Sequence, residues 1–239
     1  MDDSELFAAA HRQPTTRRPL LGLTILVIED SRYACEAMRL LCLRSGARIR
    51  RADCLKSARR HLQVYRPSVL IVDLGLPDGS GIDLIEESVS ASPRVSVVLG
   101  TSGDDAAKEA TLAAGADGFL AKPVTSLATF QQAILSRLPA DRQPMGSGEL
   151  LDEIIHPDLL AFQDDMAHVA DVLNDSQEVN ILNYVAQFLG GVARSVGDSS
   201  LADAAAGLSK ALSSGRPVTT EAARIAGLVQ DRLNQKLAI

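Results

Sequence analysis

The 239-residue sequence predicts an α/β domain with a five-stranded, doubly wound parallel sheet, followed by an all-α four-helix bundle. Between residues 20 and 139, short apolar runs alternate with amphipathic stretches, the pattern of a parallel sheet flanked by helices. Beyond residue 157 the strand-like runs stop and apolar residues recur only at helical spacing. Between the two lies PADRQPMGSGELLDEIIH, residues 139 to 156, a mixture of Pro, Gly and charge that reads as a linker becoming helical toward its end. The length suffices for two domains, each burying its own core. The expected division is a flexible N-terminal tail over 1–19, the α/β domain over 20–139, a linker over 140–156 and the bundle over 157–239.

The strands are expected at 24–28 (TILVI), 47–51 (ARIRR), 69–72 (VLIV), 95–99 (VSVVL) and 118–121 (GFLA). Helices fill the intervals at 32–44, 55–65, 82–90, 105–114 and 126–138. Ser31 is the N-cap of the first, and Gly46 and Gly115 supply C-terminal stops. Five such units in about 120 residues make a flavodoxin-like domain. In the bundle, four blocks run near 157–174, 177–197, 199–213 and 218–237, broken at Asn174-Asp175, Gly197-Asp198 and 214–217. Short connections between four helices imply antiparallel neighbours.

Composition narrows the function classes. Hydrophobic residues make up 46% and charged residues 23%, as in a soluble globular protein. No run approaches the ~18 apolar residues of a membrane span. The N-terminus opens on acids and does not read as a secretory signal. Cys35, Cys42 and Cys54 show no metal-ligand spacing and suit a reducing compartment, so a cytoplasmic protein is expected. Residues 1 to 144 carry 18 Lys+Arg against 17 Asp+Glu, and residues 145 to 239 carry 6 against 13. A C-terminal half at −7 argues against nucleic-acid binding there.

In an open parallel sheet, ligands gather at the carboxyl ends of the strands. The first strand ends in Glu29-Asp30, the third in Asp73, the fourth leads through Gly100 to Thr101, and the fifth ends before Lys122. Carboxylates brought together repel, and Mg2+, a hard cation that takes oxygen ligands, keeps them ionised. Such a rim suits an incoming phosphoryl group. The metal and Lys122 neutralise its oxygens, Thr101 donates a hydrogen bond, and one carboxylate attacks phosphorus. The aliphatic run before Asp73 is then the buried central strand that holds the reactive group at the rim.

Residues 22 to 139 resemble the receiver domains of bacterial two-component response regulators. The resemblance rests on the acidic pair Glu29-Asp30, the D-L-x-L-P-x-x-x-G motif from Asp73 to Gly81, the Gly100-Thr101 step, and G-A-x-G-F-x-x-K-P from Gly115 to Pro123. It implies that Asp73 is the phosphoacceptor and that Mg2+ is bound by Glu29, Asp30, Asp73 and a backbone carbonyl at Leu74 or Gly75. By the same resemblance Thr101 and Lys122 contact the phosphoryl group, Phe119 turns inward when Thr101 moves toward it, and the Lys122-Pro123 bond is cis. The two positions that tune phosphate lifetime in this family are Gly75 and Gly103 here, which predicts an unshielded phosphoryl group.

In the second bundle block, Leu182, Val185, Ala186, Leu189, Val192, Ala193 and Val196 form the core stripe, with Asn183, Gln187, Gly190, Gly191 and Arg194 on the other side. Adjacent glycines cost about 1 kcal/mol each in a helix, which either close approach by a partner or tight helix packing would justify. The stretch from Val185 to Leu208 is similar to histidine-phosphotransfer domains, with A-H-x-L-K-G-x-A as their pattern. Gln187 stands where the phosphorylated His belongs and Gly190 where the Lys belongs, so the resemblance is to a degenerate member without relay chemistry. His156 and His168 are expected to be solvated or packed.

The leading functional expectation is a response regulator phosphorylated by a sensor histidine kinase or phosphotransfer protein, with protein contacts of the bundle as output and no nucleic acid or membrane as partner. Its enzymatic chemistry is then that of receiver phosphorylation and dephosphorylation, and homodimerisation through the bundle or the last receiver helix is compatible with it. The alternative is a phosphatase of receiver aspartyl phosphates. Gln187 beside Gly190 and Gly191 would orient the attacking water, as an amide does in several receiver phosphatases.

Overall fold

The computed structural model describes residues 14–104, 106–139, 152–175 and 178–235. The α/β part comprises β1 (Thr24–Ile28), α1 (Arg32–Ser45), β2 (Arg48–Ala52), α2 (Leu55–Val64), β3 (Val69–Asp73), α3 (Gly81–Ser90), β4 (Val97–Ser102), α4 (Ala107–Ala113), β5 (Gly118–Ala121) and α5 (Leu127–Leu135). All five strands are parallel, in the order β2-β1-β3-β4-β5. A two-residue hairpin, Gly75–Leu76 against Gly79–Ser80, follows β3.

Strand periodicity splits the apolar side chains between the two faces. Ile25, Val27, Val69, Ile71, Val97 and Leu99 pack with Met38, Leu41, Phe130 and Ile134 on one side. On the other, Leu26, Ile28, Leu70, Val72 and Val98 pack with Leu55, Ala58, Leu84 and Ile85. Every residue of β3 is buried. At roughly 1.5–3 kcal/mol per buried aliphatic side chain, this central strand is a firmly anchored place from which to present an acid. Ser31 caps α1 by accepting a hydrogen bond from the Ala34 N–H at 3.0 Å, and Gly46 ends the helix at φ +82°.

Two expectations at the edges of this domain change. Residues 1–13 of the expected tail and 140–151 of the expected linker lie outside the described residues. The described remainders are ordered into the fold: Thr15 bridges Arg18, and Pro19 and Leu20 are buried. Near the other end, Ile154 bridges Ser126, the Ile155 N–H donates to the Thr125 carbonyl, and Ile155 is buried in the core shared with Phe130. The end of that stretch is extended rather than helical, because Ile155 packs into the sheet-side core while Ile154 bridges Ser126 and stays exposed.

Four helices follow: α6 (Leu159–Asp175), α7 (Val179–Val196), α8 (Ser199–Ser213) and α9 (Thr219–Asn234). They share one apolar core that includes Met166, Val169, Leu182, Val185, Leu189, Leu208, Ile225 and Val229. Gly197 adopts φ +74° to end α7, where a side chain would be strained, and Asp198 then caps α8 through the Leu201 N–H. Arg232 of α9 pairs with Asp198 at 2.7 Å and ties the last helix to that corner. None of the described helices is long and apolar enough to cross a membrane.

Candidate functional site at the helix-covered rim

At the carboxyl edge of the sheet, oxygens of Glu29, Asp30 and Asp73 lie within 4.8 Å of one another. β1 delivers the first two and β3 the third. Lys122, just beyond β5, reaches Glu29 at 2.7 Å and Asp73 at 2.9 Å. Burial pushes Glu29 up to about 8, with Asp73 and Asp30 adding to the rise and Lys122 opposing it. Burial likewise raises Asp30 to about 7, with Asp73 adding and a Tyr184 hydrogen bond opposing. For Lys122, burial disfavours the charge, but Asp73 and Glu29 outweigh it and hold the ammonium protonated beyond its usual range.

These residues fit a hard divalent cation. Three carboxylates from the ends of β1 and β3, with oxygens within 4.8 Å of one another, are the oxygen-rich set such a cation takes.

The helical region closes over this rim. Asp165 of α6, 1% exposed, accepts from Ser31 Oγ at 2.7 Å, from the Arg32 N–H at 2.7 Å and from the Tyr33 N–H at 3.1 Å. It therefore satisfies backbone donors at the start of α1 with a carboxylate, the sign a helix N-terminus favours. Burial raises the Asp165 pKa, and these donors oppose the rise. From α7, the Tyr184 hydroxyl donates to Asp30 Oδ2 at 2.8 Å, and His168 Nε2 lies 3.1 Å from the same hydroxyl. Since that hydroxyl proton goes to Asp30, the His168 nitrogen is the donor in its contact with Tyr184. A cavity of about 630 Å³ remains between the two parts, lined by Glu29, Asp30, Asp73 and Lys122 below and by Gln187 and Arg194 above.

The family model "Response regulator receiver domain" matches residues 25–134. This segment is a response regulator receiver domain. The chain is 33% identical over 99 residues to the KDP operon transcriptional regulatory protein KdpE of Escherichia coli K12, covering 41% of this chain and 44% of that protein. It is 32% identical over 158 residues to the transcriptional regulatory protein KdpE of Mycobacterium tuberculosis H37Rv, covering 66% of each. The chain thus spans roughly half to two thirds of the length of these relatives. Both are named as transcriptional regulators, in mild conflict with the expectation of an output without nucleic acid. Among solved structures, the receiver domain of sensor histidine kinase PA1611 from Pseudomonas aeruginosa PAO1 is 22% identical with a TM-score of 0.44, covering 48% of this chain and 97% of that one. Receiver domains bind Mg2+ at an acidic pocket, and a receiver implies a histidine kinase or other phosphodonor as partner.

Within the receiver, Glu29, Asp30, Asp73, Gly75 and Lys122 all line the cavity. Thr101 does not. It is fully buried, and its hydroxyl donates to the Leu120 carbonyl at 2.8 Å, away from the position expected for a phosphoryl ligand. Phe119, one residue earlier on β5, is half-buried, and Lys122-Pro123 is cis. The expected openness above Gly75 and Gly103 is corrected: a Cβ built on Gly75 would collide with the Gln187 amide, and one on Gly103 would meet the Arg194 guanidinium. Glycine at these positions makes room for the helical region. Of the paired glycines, Gly190 backs onto Ala205 of α8, while Gly191 faces open space. His156 is exposed, whereas His168 stacks edge-on against Tyr184 and Phe188. Asp165, Tyr184 and His168 were not singled out as receiver contacts in the sequence. Their only signal is that Asp165 and Tyr184 are polar residues beside apolar helical neighbours, while His168 lies on a polar face with Asp164 and Asp171.

Proposed function

We propose that this protein is a response regulator whose Asp73 is phosphorylated with Mg2+ and whose helical region is the output, engaging the receiver's own phosphorylation site through a contact whose strength changes with phosphorylation. The observation that carries this reading is the hydrogen bond from Tyr184 to Asp30, which ties a helix of the appended region to an acid of the site. Glu29, Asp30, Asp73 and the Gly75 backbone are the group that would hold the ion, which when bound supplies positive charge to the phosphoryl oxygens. An Asp73 carboxylate oxygen attacks phosphorus, the new O–P bond forms as the bond to the donor's leaving group breaks, and Lys122 neutralises charge on the transferred group. Thr101 and Phe119 then repack, with the Thr101 hydroxyl leaving the Leu120 carbonyl.

The reading of an output through protein contacts rather than DNA is supported by the −7 charge of residues 145 to 239 and by the placement of α7 against the acidic rim. The helical scaffold, with Gln187 at the position of the missing histidine, fits a degenerate phosphotransfer module. The site's partial cover also means that a protein donor meets Asp73 only after the helical region has moved aside. A small phosphodonor with Mg2+ should label the wild type and leave an Asp73→Asn variant unlabelled; equal labelling of both refutes the phosphoacceptor assignment.

A second reading is favoured by the contact of Gln187 with Gly75. Held there, the amide can orient a water on the phosphorus of an Asp73 phosphate. The water oxygen bonds to phosphorus, the Asp73 O–P bond breaks, and inorganic phosphate leaves. Under this reading the labelled full chain loses phosphate faster than a fragment of residues 1–157, and Gln187→Ala restores the longer lifetime. Equal lifetimes in all three proteins exclude it.

A further inference from the structure

Gln187, Gly191 and Arg194 are spaced i, i+4 and i+7 on α7 and so form one stripe along the helix. That stripe lies across the receiver rim in a fixed register. Gln187 abuts Gly75 at one end, Arg194 abuts Gly103 at the other, and a Cβ on Gly191 would meet nothing within 4 Å. On the receiver side, Asp73 pairs with Thr101 in the β3–β4 register, so the loop positions Gly75 and Gly103, each two residues further on, flank the exit of Asp73. The open volume under Gly191 is therefore continuous with the space above Asp73, and all of these residues except Thr101 line one cavity.

The Arg194 guanidinium stands at that cavity without a hydrogen bond or ion pair to any other described residue. Aspartyl phosphorylation would add a group of about −1.5 to −2 charge and three strong acceptor oxygens. Arginine presents a planar fork of donors suited to such oxygens.

We propose that Arg194 is a phosphoryl-binding residue supplied to the receiver by the helical region, so that phosphorylation of Asp73 holds that region closed over its own site. The inference rests on the phosphoacceptor reading and adds to it both a ligand for the phosphoryl group and a direction for the switch. Gly103 is part of the arrangement, because a side chain there would displace the guanidinium. Gly191 is the other part, leaving the phosphoryl group room between helix and rim. Closure in the unphosphorylated chain then rests on Asp165 and Tyr184, and phosphorylation strengthens it through a third contact.

The test uses the full chain with beryllium fluoride and Mg2+, a phosphoryl analogue that does not hydrolyse, so that any Gln187 activity is silent. Analogue affinity and amide exchange across residues 184–194 are measured for the wild type, Arg194→Ala, Arg194→Lys and Gly103→Ala. The analogue should slow exchange in the wild type. Arg194→Ala should bind it about tenfold more weakly and lose the added protection, with Arg194→Lys intermediate because it keeps charge without the fork. Gly103→Ala should weaken binding in the same direction from the receiver side. Arg194→Ala indistinguishable from wild type in both readouts overturns the assignment. So does a wild type that binds the analogue while exchange over 184–194 accelerates, since the helical region would then be expelled. Failure of the wild type to bind the analogue at all overturns the phosphoacceptor reading itself.

Discussion

Replacing Asp165 with Ala should open the protein without unfolding either part. The carboxylate is 1% exposed and accepts three hydrogen bonds from the start of α1, two from backbone N–H groups and one from Ser31. Hydrogen bonds to a charged acceptor contribute about 1.5–3 kcal/mol each before the acceptor's own desolvation is set against them, and that opposing cost is evident in its raised pKa. A net loss of about 3 kcal/mol is therefore expected, which shifts the closed-to-open ratio by roughly 150-fold. Helix α1 itself survives, because Ser31 still caps it through Ala34 and its freed donors meet water once the region has moved away. Amide exchange over Asn183–Ser195 and in the loops at Gly75 and Gly103 is the assay, and faster exchange in both places together is expected. The neighbouring Asp164→Ala is the control. Its pair with Arg32 is 3.4 Å long with side chains 70% and 58% exposed, and such pairs contribute at most ~1 kcal/mol. Unchanged exchange in Asp165→Ala, or an equal effect in the control, would refute the reasoning that this buried carboxylate anchors the closure.

Three further outcomes follow from the same geometry. Tyr184→Phe removes the donor to Asp30 and should weaken closure by about 1–2 kcal/mol, read by the same exchange measurement; no change would mean the hydroxyl is equally well solvated when open. Mg2+ affinity of the full chain should rise as pH climbs through about 7 to about 8, since Asp30 and Glu29 must lose their protons to accept the ion and burial raises them to about 7 and about 8. In a fragment of residues 1–157, which lacks the covering helices, Asp30 is less desolvated, so the rise should move to lower pH; superimposable Mg2+ titration profiles for the two proteins would contradict this. Finally, a receiver fragment cut at residue 143 should melt below one cut at residue 157, because it loses the buried Ile155 side chain and the backbone bonds of 153 and 155 to α5 and its approach. Deleting a buried Ile side chain alone costs about 2–5 kcal/mol, and equal melting temperatures would place Ile155 outside the receiver's cooperative unit.

Much of the receiver was legible before any coordinates. Five apolar runs, Ser31 and Gly46 at the ends of α1, and acids at strand ends encode their positions locally, through periodicity and capping chemistry. The motif from Asp73 to Gly81 and the cluster of Glu29, Asp30 and Lys122 follow from those strand ends meeting at one rim. The helical spacing of the second half was equally readable, and with it most of the stripe of Asn183, Gln187, Gly190, Gly191 and Arg194, of which Gly190 is buried against α8 instead. The orientation of Thr101 was not readable, since the side chain has two partners to choose between and its hydroxyl takes the Leu120 carbonyl. Nor was the return of Ile155 to the receiver core, which charge and Gly content in the preceding stretch obscured.

What the sequence by itself determined is therefore an acidic phosphoryl-type rim on a parallel sheet, and an acidic helical region carrying an amide where a histidine would stand. Only the tertiary structure decided that the second lies on the first. Ser31 meets Asp165 across 134 residues, and Asp30 meets Tyr184 across 154. Neither contact has a local signature, because a buried Asp that satisfies another helix's N-terminus looks in sequence like any polar residue on a helix. The same juxtaposition reverses the meaning of Gly75 and Gly103: as sequence they are missing shields, and in the folded chain they are the space into which Gln187 and Arg194 fit. Periodicity and capping act over a few residues and can be read from a string, whereas docking depends on two finished surfaces matching in shape and charge.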